Sequence, residues 1–151
     1  MSVTISKANS NDIPIIINLM QEHARYEKAE FLTENLHDRL VDELDCPDPR
    51  SLIFIARNKS MPAGYCALNR EFSAWKCKEY MHMDCLYVTE QMRGRKIGLQ
   101  LLNVAIQTAT DQGLGELQWQ TPLWNTKAIH FYQGLGASCS EKLRFTYNLS
   151  G

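Results

Sequence analysis

The stretch with the clearest chemistry runs from Cys85 to Leu102, CLYVTEQMRGRKIGLQLL. It reads as a strand, a basic glycine-containing turn (Arg93-Gly94-Arg95-Lys96-Ile97-Gly98) and then an amphipathic helix. The first backbone N–H groups of a helix have no partner within it and carry the positive end of its dipole, so they bind anions. Glycine lets a ligand come close to the backbone, and Arg93, Arg95 and Lys96 add charge. A pyrophosphate is the ligand this arrangement suits. The chain has neither GxxxxGK[ST] nor GxGxxG, which excludes a nucleoside-triphosphatase loop and the dinucleotide fingerprint. The alternative is a helix start beside a merely basic surface turn.

A second stretch, Trp119–Ala137, holds another helix. Asn125 is a good N-cap. Tyr132 follows seven residues later, two turns along the same face, and Ile129 and Phe131 read as core. By itself Tyr132 reads as an amphipathic core residue.

Hydrophobic periodicity predicts the elements that hold these stretches. Val3–Ser6 alternates as a strand. Asn9 and Asp12 form a capping box ahead of a helix carrying Ile13, Ile16, Ile17, Met20 and Ala24 on one face. A second helix is expected from Thr33 to about Leu44, with Leu36, Leu40 and Leu44 stacked. Ser51–Arg57, a turn at 58–62 and Ala63–Asn69 predict a hairpin. A strand at Glu79–Val88 leads to a helix at about Gly98–Gln112, its buried face made of Leu101, Leu102, Ala105, Ile106 and Ala109. Glu116–Gln120 is a strand, Asn125–Leu135 a helix and Phe145–Leu149 a closing strand. The order predicts an α/β mix, antiparallel in its first half, with one βαβ unit.

The whole-chain numbers bound the answer. A chain of 151 residues is one domain's length. At that size about 68–70% of the unfolded surface is buried, so folding needs no disulfide or metal. A net charge of −1 is not that of a dedicated nucleic-acid binder. The apolar run Ile13–Met20 is short and interrupted by Pro14 and Asn18, so neither a signal peptide nor a membrane span is expected. Five scattered cysteines without a CxxC, and four histidines without HxxxH, predict no zinc or other metal site; free thiols suit a reducing cytoplasm.

Taken together, the two stretches resemble the GNAT acetyltransferase superfamily. Arg93–Gly98 matches its Arg/Gln-x-x-Gly-x-Gly/Ala loop, with Lys96 at the middle glycine. Trp124–Ala137 matches Trp-Asn-x-x-Ala-Ile-x-Phe-Tyr-x-x-x-Gly-Ala, and Ala8–Asp12 matches the start of the first helix. Within the superfamily the chain is most similar to the diamine (spermidine/spermine) acetyltransferase-like branch, through Tyr26-Glu27, Phe72-Ser73-Ala74-Trp75 and Met83–Val88. Where that branch has Leu-Glu-Asp, this chain has Met83-Asp84-Cys85.

The resemblance implies a single GNAT domain over residues 1–151. Its fold would be a mixed, mostly antiparallel sheet of six to seven strands with about four helices, and a splayed βαβ unit at the acetyl-CoA site. It implies direct acetyl transfer from acetyl-CoA to a primary amine of a small cationic substrate, a polyamine, a diamine or a lysine-like compound. The other readings are an antibiotic or protein amine, or a non-catalytic acyl-CoA-binding module. Tyr132 would be the general acid at the thioester sulfur, a phenol of pKa near 10 facing a developing thiolate. Asp84 would attract the ammonium and pass its proton through water; an ordinary aspartate, pKa near 3.9, is a poor direct base unless burial raises it. Acetyl-CoA would contact Leu86, Tyr87 and Val88 through their backbone, the loop from Arg93, Gly94, Arg95, Lys96, Ile97 and Gly98 to Leu99, and Asn125, Lys127, Ala128 and Tyr132. Tyr26, Glu27, Asp84 and Trp75 would face the amine, Trp75 by cation–π contact or else as a dimer contact. A homodimer is implied. Cys85 as an acyl-accepting nucleophile has no histidine base assigned beside it in the sequence.

Overall fold

The computed structural model describes residues 2–150. They form two compact units, one up to Gln120 and one from Thr121 onwards. The first holds a five-stranded sheet in the order β1-β2-β3-β4-β5, with β1 Val3–Lys7, β2 Ser51–Asn58, β3 Met61–Ser73, β4 Lys78–Val88 and β5 Leu117–Trp119. The first four strands pair antiparallel in sequence order. β5 returns parallel to β4 after the crossover helix α3 (Ile97–Asp111), because a parallel neighbour needs a long connection. Helices α1 (Ile13–Tyr26) and α2 (Leu36–Leu44) precede β2.

The sheet has a core on each face. On one, Ala56, Cys66, Leu68, Met81 and Met83 meet Ile97, Leu101, Leu102, Ala105 and Ala109 of α3. The other carries Ile53, Ile55, Tyr65, Ala67 and Tyr87 against Ile16 and Leu19 of α1, with Leu40 and Leu44 of α2 at its edge. β3 is buried continuously from Ala63 to Leu68 because helices cover both its faces.

The predicted capping box is present, on a 3-10 turn at Ser10–Asp12 that leads into α1. Asn9 N–H donates to Asp12 Oδ2 at 3.0 Å, and Asn11 N–H to Asn9 Oδ1 at 2.9 Å. The other oxygen of Asp12 accepts from Arg57 Nη2 at 2.7 Å, tying the start of α1 to β2.

One irregularity sets the site. β3 and β4 pair Ala67 with Cys85 but Leu68 with Met83, so Asp84 is an extra residue with no partner, a β-bulge. Side chains alternate along a strand, and an added residue reverses the faces beyond it. Met81 and Met83 therefore face α3, while Cys85 and Tyr87 face α1.

Several expectations need correction. Five strands form among the described residues, and Phe145–Leu149 is not one of them. Its alternation is real, but a strand also needs a paired neighbour, which alternation does not supply. α2 starts at Leu36 rather than Thr33, because Asn35 takes a left-handed conformation, φ 56°. Ile106 is exposed, since α3 is apolar beyond the width of its buried face. Phe131 is exposed too.

At Gly64 a side chain has no room: a Cβ there would lie 2.5 Å from the Tyr87 carbonyl oxygen and 3.2 Å from Val88 Cα. Gly64→Ala is expected to cost about 1–3 kcal/mol, as overfilling a packed core does. Thermal denaturation followed by circular dichroism checks this; an unchanged melting temperature contradicts it.

Candidate active site

In the first unit, the β4–α3 connection has the form the sequence predicts. α3 begins after Lys96, with no side-chain cap on its N-terminus. Lys96 itself has φ 63°, the left-handed region that favours glycine, which matches the glycine found at this position in the resembled loop motif. At Gly98 nothing in the fold requires glycine. A Cβ would meet only Val88 Cγ2, at an ordinary 3.8 Å. Glycine in a helix costs roughly 1 kcal/mol relative to alanine, so the spare room suits an incoming ligand better than it suits packing. These residues fit a phosphate-bearing group at the α3 N-terminus, with Arg95 and Lys96 nearest in sequence. Leu99 lies in the same first turn.

Arg93 is engaged elsewhere. Its Nε donates to the Val88 carbonyl at 3.1 Å, and its guanidinium lies 4.4 Å from the Tyr26 ring centroid and 5.6 Å from that of Tyr87. It ties the loop back to β4 and to the end of α1 by cation–π contact.

Leu86, Tyr87 and Val88 close β4. The parallel register with β5 runs from Met81–Leu117 to Met83–Trp119, so these three residues lie beyond the β5 pairing, as a splayed βαβ unit requires. Leu86 and Val88 pack against the α3-side core, and Tyr87 is buried on the α1 side.

Tyr26 and Glu27 stand at the C-terminal end of α1, where polar and aromatic side chains of α1 and the sheet meet. Glu27 Oε1 is 3.3 Å from His23 Nε2, one helical turn away. His23 Nδ1 is 2.7 Å from the Tyr65 hydroxyl. The imidazole stacks on Tyr87 at 5.1 Å, and the Tyr87 hydroxyl donates to Glu22 Oε2 at 3.4 Å. Tyr26 is 6.3 Å from Tyr87, ring to ring. Asp84 is exposed on the bulge, and Cys85 Sγ donates to its Oδ2 at 3.8 Å. Burial pushes the Cys85 thiol up to about 12, the Asp84 charge adding to the effect. Burial likewise pushes the Tyr65 phenol far above its ordinary value.

Trp75 does not join this group. It sits 97% exposed between β3 and β4. Six residues of extended strand separate Lys78 from Asp84, about 20 Å at roughly 3.3 Å per residue. His23, Tyr65 and Glu22 are members that the sequence reading did not name. The spacing of His23 four residues before Glu27 was visible in the sequence; the partnership with Tyr65 depends on the strand order and was not.

In the second unit, α4 (Thr126–Gly134) starts at Asn125. The Asn125 side chain is buried, and its Oδ1 accepts from Ala128 N–H at 3.3 Å, the expected cap. Lys127 is exposed in the first turn. Tyr132 is half-buried, its ring 5.3 Å from that of Phe131.

Among the described residues no helix is long and apolar enough to cross a membrane, and no three His, Cys, Asp or Glu side chains are grouped to hold a metal ion.

Residues 16–137 match the model of the acetyltransferase (GNAT) family. The chain is 27% identical over 143 residues to a thialysine N-epsilon-acetyltransferase of Bos taurus, covering 89% of this chain and 84% of that protein. It is 28% identical over 117 residues to the protein of that name in Caenorhabditis elegans, covering 78% and 71%. Among solved structures, an aminoglycoside acetyltransferase from an uncultured soil metagenomic sample superposes with a TM-score of 0.82 at 19% identity, covering 98% of this chain and 97% of that one. The fold is therefore shared with known acetyltransferases, and the family match spans most of the sequence: the chain is an acetyltransferase and belongs to the GNAT family.

Proposed function

We propose that this enzyme moves an acetyl group from acetyl-CoA to a primary amine of a small cationic substrate, a lysine-like compound, diamine or polyamine, by direct attack in a ternary complex. The observation that carries the substrate class is the set of carboxylates on neighbouring side chains: Glu22 on the Tyr87 hydroxyl, Glu27 on His23, which stacks on Tyr87, and Asp84 on Cys85, with Tyr26 beside Tyr87. Carboxylates and aromatic faces are what an ammonium group binds. The names of the bovine and nematode relatives support a lysine-like acceptor.

Three tasks follow from the chemistry. The α3 N-terminus, with Arg95, Lys96 and the space at Gly98, would hold the cofactor's pyrophosphate, and the backbone of β4 its arm; the resemblance gives Asn125 a contact with that arm. The ammonium is drawn to Asp84 and Glu27 and must lose a proton before it has a lone pair to attack the thioester. Tyr132 would supply the proton that the departing thiolate takes up, the role the resemblance gives it. One face of Tyr26 is covered by Arg93, so Tyr26 acts here by fixing that cation as well as by bordering the amine.

The acceptor is tested by thiol release from acetyl-CoA with thialysine, lysine, ornithine, putrescine, spermidine, an aminoglycoside and a peptide. Release with the small linear amines is expected. Release with the aminoglycoside or the peptide alone overturns the substrate class. Tyr132→Phe is expected to lower turnover by about 10²-fold, the lower end of general-acid effects, while acetyl-CoA still binds. Unchanged turnover removes Tyr132 from that role.

The phosphate site is tested by calorimetry. Gly98→Glu is expected to weaken acetyl-CoA binding through charge and bulk at the helix start, whereas Gly98→Ala keeps the fold. Unaltered affinity in Gly98→Glu places the phosphates elsewhere.

The chain acts as a homodimer in this reading. Leu143, Phe145, Tyr147 and Leu149 alternate along the C-terminal segment and are 80–92% exposed, an apolar stripe that a second copy would cover. Light scattering is expected to give twice the chain mass, and Phe145→Glu to shift it towards one chain. A monomer in the unmodified protein contradicts the dimer.

A further inference from the structure

Glu27 has a neighbour that restrains it. Its Oε1 lies 3.3 Å from His23 Nε2, one helical turn back along α1. On the other side of the ring, His23 Nδ1 lies 2.7 Å from the hydroxyl of Tyr65 on β3. The ring itself stacks on Tyr87 of β4 at 5.1 Å and meets the Tyr65 ring edge-on at 5.7 Å. Two strands from the middle of the sheet therefore fix the imidazole from below, and β3 and β4 are paired to each other along this stretch. Tyr65 is 1% exposed and the His23 side chain 12%, whereas Glu27 is one-third exposed. The arrangement runs from a closed interior to an acid that a solute can reach.

The partners set where the hydrogens lie in the neutral ring. A carboxylate only accepts, so a hydrogen on Nε2 is favoured over a lone pair facing Glu27. Nδ1 is then the lone pair, and the Tyr65 hydroxyl donates to it. Burial raises the Tyr65 phenol far above its ordinary value, so that hydrogen stays on the oxygen at neutral pH. A neutral imidazole restrains the carboxylate without cancelling its charge, which stays available to an ammonium. At 3.3 Å the contact is longer than a charge-assisted hydrogen bond, and contacts of this kind tighten when substrate binds.

We propose that His23 is a positioning residue for the acceptor: fixed from behind by Tyr65, it places the Glu27 carboxylate to receive the substrate ammonium. His23 does not touch the substrate. This rests on the amine-acetylating function proposed above, which gives Glu27 to the amine. A glutamate at the last turn of a helix has several rotamers open to it, and a bound ammonium must select one of them. The contact with His23 restricts that choice in advance, so less freedom is lost on binding. The effect is on capture of the amine, and the transfer step itself does not use His23. KM for the amine is therefore the quantity that His23 governs.

The test measures thiol release with thialysine and acetyl-CoA. His23→Leu is expected to raise KM for thialysine about tenfold, the size of one hydrogen bond to a charged group, with kcat little changed. His23→Gln, which keeps an N–H donor, is expected to recover most of that loss. Tyr65→Phe is expected to give a smaller rise, because the ring still faces Glu27. Glu27→Gln removes the charge that His23 places, so adding His23→Leu to it is expected to raise KM no further. An unchanged KM in His23→Leu, a loss that falls on kcat, or full additivity with Glu27→Gln overturns the proposal. A second readout uses the unmodified protein and needs no turnover. Nitrogen-15 NMR of the neutral His23 ring is expected to show hydrogen on Nε2; hydrogen on Nδ1 overturns the proposal, because a lone pair then faces the carboxylate. Absence of thiol release with every amine in the unmodified protein tells against the proposed function instead, and the tautomer then decides by itself whether His23 restrains Glu27.

Discussion

Side chains alternate strictly between the two faces of a strand, so one unpaired residue in β4 redirects everything that follows it. Asp84 is that residue. In a regular β4 with Asp84 paired like its neighbours, Cys85 and Tyr87 would continue the face of Met81 and Met83 and point at α3. With the bulge, they face α1, where Tyr65 and His23 wait, and Asp84 is left exposed. The stacking of His23 on Tyr87, the contact of Cys85 with Asp84 and the exposure of the acid all depend on this single register shift. Gly64 serves the same stretch of strand, since it lets β3 approach the backbone of Tyr87 and Val88 closely.

Arg93 links the two halves of the chemistry within the first unit. It belongs in sequence to the loop that enters α3, but its side chain reaches back to the Val88 carbonyl and lies over Tyr26 and Tyr87. A guanidinium is suited to this because it is planar, always charged and stacks on aromatic faces while still donating hydrogen bonds. The loop motif and the amine-side aromatics therefore share one cation. A change at either end is felt at the other through that contact, with no need for a long-range pathway.

The sequence carried the local features well. Capping at Asn9, the long amphipathic α3, the uncapped basic turn before it and the Asn125 cap are all written in neighbouring residues. Glu27 and Asp84 come from a motif resemblance; in the structure Glu27 lies against His23, and Asp84 against Cys85. What the sequence did not show depends on register between distant segments. Tyr65 and His23 are 42 residues apart and become partners only because β3 lies beneath α1. The bulge at Asp84 has no local signature, since Met83-Asp84-Cys85 alternates as smoothly as an unbroken strand. Phe145–Leu149 failed in the opposite sense: its alternation was legible, but pairing requires an edge that alternation does not specify.

The Cys85 environment decides between two routes of acetyl transfer. A covalent route needs thiolate at sulfur, and His23 is engaged with the Tyr65 hydroxyl. The buried Tyr65 phenol in turn resists losing its proton. With the thiol held near 12 by burial and by the adjacent Asp84 charge, the thiolate fraction at pH 7 is about 10⁻⁵. In the proposed reaction the same carboxylate that suppresses the thiolate attracts the ammonium. One arrangement therefore weakens the nucleophile of the covalent route and favours the amine of the direct one, and the buried thiol serves the site by keeping its hydrogen.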